Sequence, residues 1–392
     1  MRPESSPRPQ SSGSSSGGVP PRGPRPVPGR GGGSPRRFRT VMAVVSVVGI
    51  FGLMALRGIA GFYTDFLWFD QLGHDDVFTS VLGAQVVLVV LFTTLFFVLV
   101  YGNLTVADRM APAVRPPGPE EDLVSQWHLL IGSRAGKLRL VASFVLALMA
   151  GAGVGNRWQE WLLFTNGGDF GSVDAQFGRD LGFFIFQLPF LSFVVGWLFS
   201  SLFVILLVTS VAHYLNGGIR FQTFGERVQP KVKMHLSALL ALLALVKAAG
   251  YWLARFELTT STRGAVDGAS YTDVKAQLPA MNLLILISLF AVLLLAVNVR
   301  RRGWVLPTLA VGLWALVALL MGSIYPAVIQ NLRVEPAESE KESVYIARNI
   351  AATRAAFGLD GLVELQIEDF DNEITAVDLL QNPTTVRNIR VM

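Results

Sequence analysis

The chain has 392 residues, of which 52% are hydrophobic and 16% charged, with a mean hydropathy of +0.47. Soluble domains carry about a quarter charged residues, so much of this chain is expected to be solvated by lipid. With no cysteine at all, disulfides, thiolate catalysis and cysteine-based zinc or iron–sulfur sites are excluded.

Residues 1–39 are almost entirely Pro, Gly, Ser and Arg and have no apolar surface to bury, which predicts a disordered cytoplasmic tail. Arg36, Arg37 and Arg39 stand immediately before the first apolar run, which reads as an uncleaved signal anchor. Seven apolar runs follow, at 41–60, 78–101, 140–155, 190–212, 236–254, 278–299 and 304–325. Each is near the length needed to cross a bilayer. The reading is an all-α polytopic membrane protein with seven transmembrane helices over 40–326.

The fourth run needs a break. Residues 182–212 hold 31 positions without one charge. As a single helix they would reach about 46 Å, against a hydrocarbon core of about 30 Å. Pro189 lacks an N–H and disfavours helix before it, so 182–188 reads as an aromatic surface segment and 190–212 as the span. It is the only such break the sequence offers.

Lys and Arg set the orientation. Segments 1–40, 102–139, 213–235 and 300–303 carry 20 of them, whereas 57–77, 156–181 and 255–277 carry six. The positive-inside rule then puts the amino terminus in the cytoplasm and the carboxy terminus outside the cell membrane. The same distribution assigns the basic excess to topology, with no nucleic-acid partner.

Residues 327–392 read as the start of an extracytoplasmic α/β segment of a longer protein. Ile346, Ile350 and Phe357 share one helical face, and Gly358 is a natural stop. Leu365 and Ile367 alternate with polar residues as in a strand.

Several segments carry a resemblance. They are 68–74 (WFDQLGH), 168–180 (GDFGSVDAQFGRD), 183–190 (FFIFQLPF), 213–220 (HYLNGGIR), 247–255 (KAAGYWLAR), 268–273 (GASYTD) and 345–354 (YIARNIAATR). Together they resemble Uncharacterised Protein Family 0182, large and mostly actinobacterial membrane proteins. The resemblance implies seven spans followed by a large exported domain, and it implies no catalytic residue.

Candidate sites are few. Asp169, Asp174 and Asp180 read as a surface cation site or as ordinary helix caps. The 132–137 stretch (GSRAGK) lacks the Walker A spacing and the hydroxyl residue after its lysine. The 151–155 stretch (GAGVG) has the small-residue spacing of close helix packing within the chain. Arg57, Gln85, Lys247 and Asn282 fall in the half of the spans nearer the outer surface. Lys247 either snorkels to the interface beside Tyr251 and Arg255, or pairs inside with Gln85, Asn282 or Asp65. No two of the four histidines are spaced as helical ligand pairs, and no acid–base or nucleophile constellation is present. No cofactor or metal is expected. The leading expectation is a structural or interaction protein of the bacterial envelope that anchors an exported domain. The alternatives are a transporter or handler of a lipid-linked substrate, or an enzyme whose active site lies in the exported part. The expected partners are the lipid bilayer and cell-envelope proteins or a lipid-linked substrate.

Overall fold

A computed structural model describes residues 35–112, 134–220, 227–361, 376–381, 383 and 387. Among the described residues helices are the only extended elements, and β pairing is confined to the single bridges Val173–Asp180 and Ile219–Val228. Seven helical stretches are long and apolar enough to cross a membrane: Phe38–Gln71, Asp75–Arg109, Ala135–Asn166, Phe183–Leu215, Pro230–Thr260, Asp273–Arg301 and Val305–Ala356. They contain the first six predicted runs and all of the seventh except Trp304. The strand expected at Leu365 and Ile367 lies outside the described residues, as do residues 1–34 of the tail predicted over 1–39, whereas residues 35–39 already belong to the first helix.

The chain divides into two units, Met1–Phe78 and Thr79–Met392. In the first, α1 (Pro35–Gln71) buries none of its apolar stretch. Phe62, Phe66 and Phe69 gather around Phe78 with ring centroids 5.3, 5.6 and 5.7 Å away.

The second unit is a bundle. Its long members are α2 (Asp75–Arg109, from Thr79 on), α3 (Ala135–Ala152), α5 (Leu188–Leu215), α6 (Pro230–Glu257), α7 (Leu278–Arg301) and α8 (Val305–Leu319). The short α4 (Trp158–Asn166) follows α3. Phe96 and Val100 of α2 meet Ala147 of α3, Ile205 of α5 and Leu239 of α6 in one buried cluster. A second cluster joins Leu88 and Phe92 to Val154 and Phe190, with Trp158 and Trp161 of α4 packed on it.

Glycines bring α2 and α3 together. A Cβ on Gly151 would sit 3.0 Å from the Cα of Thr93, and one on Gly155 would sit 3.1 Å from Val89 Cγ2. The 151–155 stretch thus packs within the chain. Backbone cannot yield as a side-chain tip does, so Gly151→Ala is expected to cost about 1–3 kcal/mol by overpacking. The check is the thermal midpoint of the detergent-solubilised protein, and an unchanged midpoint would refute the close approach.

The break at Pro189 takes another form than expected. Residues 182–188 are no separate surface segment: Phe183–Gln187 is a π turn that runs straight into α5. Leu188 N–H bonds back five residues to Phe183 O. The device recurs three times. Asp273–Gln277, Leu320–Ile324 and Gln330–Val334 are π turns ending two residues before Pro279, Pro326 and Pro336. Proline supplies no N–H and crowds the carbonyl four residues back, and a wider turn before it relieves that clash without ending the helix. Two of the four sites share the triplet Gln-Leu-Pro, at 187–189 and 277–279. Pro189 is therefore one of four such points.

The run from Val305 passes through α9 (Tyr325–Ile329) into α10 (Glu338–Ala356). At 52 residues it would measure about 78 Å as ideal helix, far more than a bilayer core. A boundary at 326/327 thus falls within continuous helical chain.

Candidate functional site

One end of the bundle is built from two loops and α10. In the first loop, 167–182, carboxylates hold the backbone. Asp174 Oδ1 accepts from the N–H groups of Gln176 and Phe177 at 2.9 and 2.7 Å. Asp180 Oδ1 accepts from Phe170 and Gly182 N–H at 2.9 and 2.7 Å, and its Oδ2 from Gly171 N–H at 2.9 Å. The Phe170 and Gly182 N–H groups hold the Asp180 carboxyl below its ordinary value. Of the two readings for these residues, helix capping describes Asp180, while Asp174 holds the turn over 175–177. The Arg179 guanidinium lies over the rings of Phe183 and Phe256, 4.5 and 4.8 Å from their centroids.

The second loop, 261–272, closes on Asp273 at the start of the π turn before α7. Asp273 is buried, and its Oδ2 accepts from Ser270 Oγ at 2.8 Å and Ser270 N at 3.1 Å. Arg263 Nε faces its Oδ1 at 3.6 Å.

Helix α10 then docks on both loops. Glu342, 1% exposed, takes Tyr271 N–H with its two oxygens at 3.1 and 3.2 Å. Arg348 Nη1 donates to Gln176 Oε1 at 2.8 Å, and Asn349 Nδ2 donates to Asp267 O at 2.8 Å. Ahead of α10, Thr272 Oγ1 donates to Gln330 Oε1 at 2.6 Å. Gly264 leaves the room required, because a Cβ there would meet Ser270 Cβ at 2.8 Å and Glu342 Oε2 at 3.5 Å. The three parts enclose a cavity of about 770 Å³ lined by Asp174, Gln176, Ser270, Glu342, Tyr345 and Arg348, among others. Among the described residues no group of three metal-ligating side chains is assembled here or elsewhere.

The family model for an uncharacterised protein family, UPF0182, matches residues 41–392. The chain belongs to UPF0182. It is 42% identical over 330 residues to the UPF0182 protein Francci3_3781 of Frankia casuarinae, covering 84% of this chain and 32% of that one. A UPF0182 protein of a Nocardioides species is 39% identical over 351 residues, 90% of this chain and 34% of its own. The UPF0182 protein SCO5204 of Streptomyces coelicolor is 33% identical over 384 residues, 96% and 38% respectively. The chain thus spans about a third of the length of the curated relatives it matches. No solved structure matches it.

Three of the segments that carry the UPF0182 resemblance, 168–180, 268–273 and 345–354, are the walls of this clamp. The four polar residues proposed from sequence each have their own surroundings. Arg57 is exposed on α1 in the first unit. Gln85 is half-buried on α2, and its backbone lies against Gly155. Asn282 Oδ1 is taken by Arg255 Nη1 at 3.0 Å, not by Lys247. Lys247 Nζ lies over the rings of Tyr251 and Phe199, 4.9 and 5.4 Å from their centroids.

At the opposite, basic end the UPF0182 chain assembles a polar group that sequence spacing missed. His213 Nε2 and His235 Nδ1 are 3.0 Å apart, and His235 Nε2 is 3.1 Å from Asn103 Oδ1. His213 is 1% exposed and His235 is also buried. Beside them Asp108 accepts from Asn216 Nδ2 at 2.9 Å and pairs with Arg139. A signal was available: His213 closes one span and His235 opens the next, so a helical hairpin returns them to the same level.

Proposed function

We propose that this UPF0182 chain is a multi-pass membrane protein whose bundle anchors and orients the rest of a longer envelope protein, amino terminus inside. The observation that carries the reading is the clamp. Glu342, Arg348 and Asn349 hold the helix leaving the last apolar run on two separate loops, so its exit direction is fixed. A free tether would need no such contacts. The clamp supports a load-positioning role.

The test is accessibility in sealed cells. Ser261→Cys and Ser339→Cys are expected to react with an impermeant thiol reagent, while Ser133→Cys and Thr223→Cys stay unlabelled until the cells are opened. The 20-to-6 division of basic residues sets this expectation. Labelling at Ser133→Cys in sealed cells would overturn the orientation, and with it an anchor that presents its clamp outside.

A further inference from the structure

A pocket of about 190 Å³ opens between α5, α6, α7 and α8, and its polarity is graded from one end to the other. Helices α5 and α7 run away from the clamp and α6 and α8 run toward it, so residue number gives level along the bundle. Phe199, Lys247 and Trp314 mark the end nearer the clamp, and Leu206, Leu240 and Leu295 the far end. The seven residues from Lys247 to Leu240 correspond to about 10 Å of helix rise.

Both polar donors lie at the same end. Lys247 Nζ makes no ion pair among the described residues, and its close neighbours are the faces of Tyr251 and Phe199. Trp314 Nε1 is buried and bonds to nothing within hydrogen-bond geometry, with the Tyr251 hydroxyl next to it. The far end offers only aliphatic and aromatic carbon. Phe203 on the rim is 49% exposed and Val311 45%, so the pocket is open at the flank of the bundle.

A desolvated ammonium is costly unless an anion neutralises it. Ring faces supply part of the attraction and leave the positive charge in place. An anionic group at Lys247 with a hydrocarbon chain running toward Leu295 would satisfy both ends at once. From this grading we infer that the pocket binds a membrane-resident anionic amphiphile, its phosphate at Lys247 and its acyl chain along Leu243, Leu240 and Leu295. The inference rests on the membrane reading, which thiol labelling tests independently.

The full chain, purified in detergent, is titrated with dioleoyl phosphatidate, with dioleoylglycerol and with inorganic phosphate. Phosphatidate is expected to bind at least about tenfold more tightly than dioleoylglycerol, with no saturable binding of inorganic phosphate. Lys247→Gln should bring phosphatidate to the dioleoylglycerol level, Lys247→Arg should retain the preference, and Leu295→Trp should weaken phosphatidate by blocking the far end. Equal affinity for the anionic and neutral lipids, or an unaltered preference in Lys247→Gln, overturns the proposal. So does inorganic phosphate binding as tightly as the lipid, which would make this an ion site without a tail site. Should Lys247→Gln not purify as a monodisperse protein, the wild type decides. Acyl-brominated phosphatidate should quench a fluorescence component that Trp314→Phe lacks, and quenching independent of Trp314 overturns the assignment.

Discussion

Glu342→Leu is expected to release α10 from the loops, while Glu342→Gln keeps it in place. The leucine variant leaves Tyr271 N–H buried without an acceptor, a loss of about 1–3 kcal/mol to the docked state. Glutamine still offers Oε1 to that N–H and removes the negative charge beside Asp273. Burial raises the Glu342 carboxyl above its ordinary value of 4.5, and the charge of Asp273 adds to the rise. A group whose folded value is raised binds its proton more tightly when docked. Docking therefore strengthens as pH falls from neutrality through that raised value, and the gain is complete below 4.5, its ordinary value. Asp180 has the opposite sign. Its contribution is present above its ordinary value of 3.8 and is lost as pH falls through its lowered value. Hydrogen exchange of the α10 amides, corrected for intrinsic rate, reads both effects. As pH is lowered from 7 toward 4.5, the ordinary value, protection should rise in the wild type and stay flat in Glu342→Gln. Wild-type protection that falls over this range, or Glu342→Leu protected like the wild type, would rule out the clamp as drawn.

The contrast at α10 marks what the sequence could and could not tell. Helix and stop are legible there: α10 ends at Ala356, and Gly358 takes φ +65°, as a glycine terminator does. Its packed face is not. Apolar spacing points to Ile346, Ile350 and Phe357, yet Phe357 is 76% exposed, Ile350 is exposed too, and the docked face carries Glu342, Tyr345 and Asn349. Hydrophobic periodicity finds faces buried by transfer from water, whereas this one is held by polar bonds to residues 71 to 172 positions away. The seven long apolar helices are legible for the converse reason, since length and apolarity are both local in sequence. Proline shows the limit between the two. Pro189 announces an interruption, but whether the chain turns or merely widens into a π turn depends on the neighbours that keep it helical. The second Gln-Leu-Pro triplet at Pro279 carried the same information and lay unread within the start of another span.

Replacing both buried histidines is expected to cost less than the two single replacements added together. Asn103 sets the direction of the chain. Its Nδ2 donates to Leu99 O at 2.7 Å, which turns Oδ1 toward His235 Nε2 at 3.1 Å. His235 must then carry its proton on Nε2, and its Nδ1 is the acceptor for His213 Nε2–H across 3.0 Å. The single variants thus strand different numbers of groups. His235→Leu leaves Asn103 Oδ1 and His213 Nε2–H without partners, while His213→Leu leaves only His235 Nδ1. At about 1–3 kcal/mol for each buried group left unpaired, His235→Leu should be the more damaging by roughly one such amount. The double variant strands Asn103 alone, so it should be no worse than His235→Leu and should fall short of additivity by two such amounts, about 2–6 kcal/mol. Leucine is close to histidine in volume, which keeps cavity effects from dominating the comparison. Thermal midpoints of the four detergent-solubilised proteins complete the cycle. Strict additivity would mean the rings do not bond to each other. A greater cost for His213→Leu would mean that His213 holds more than its bond to His235, and would overturn this count of stranded groups.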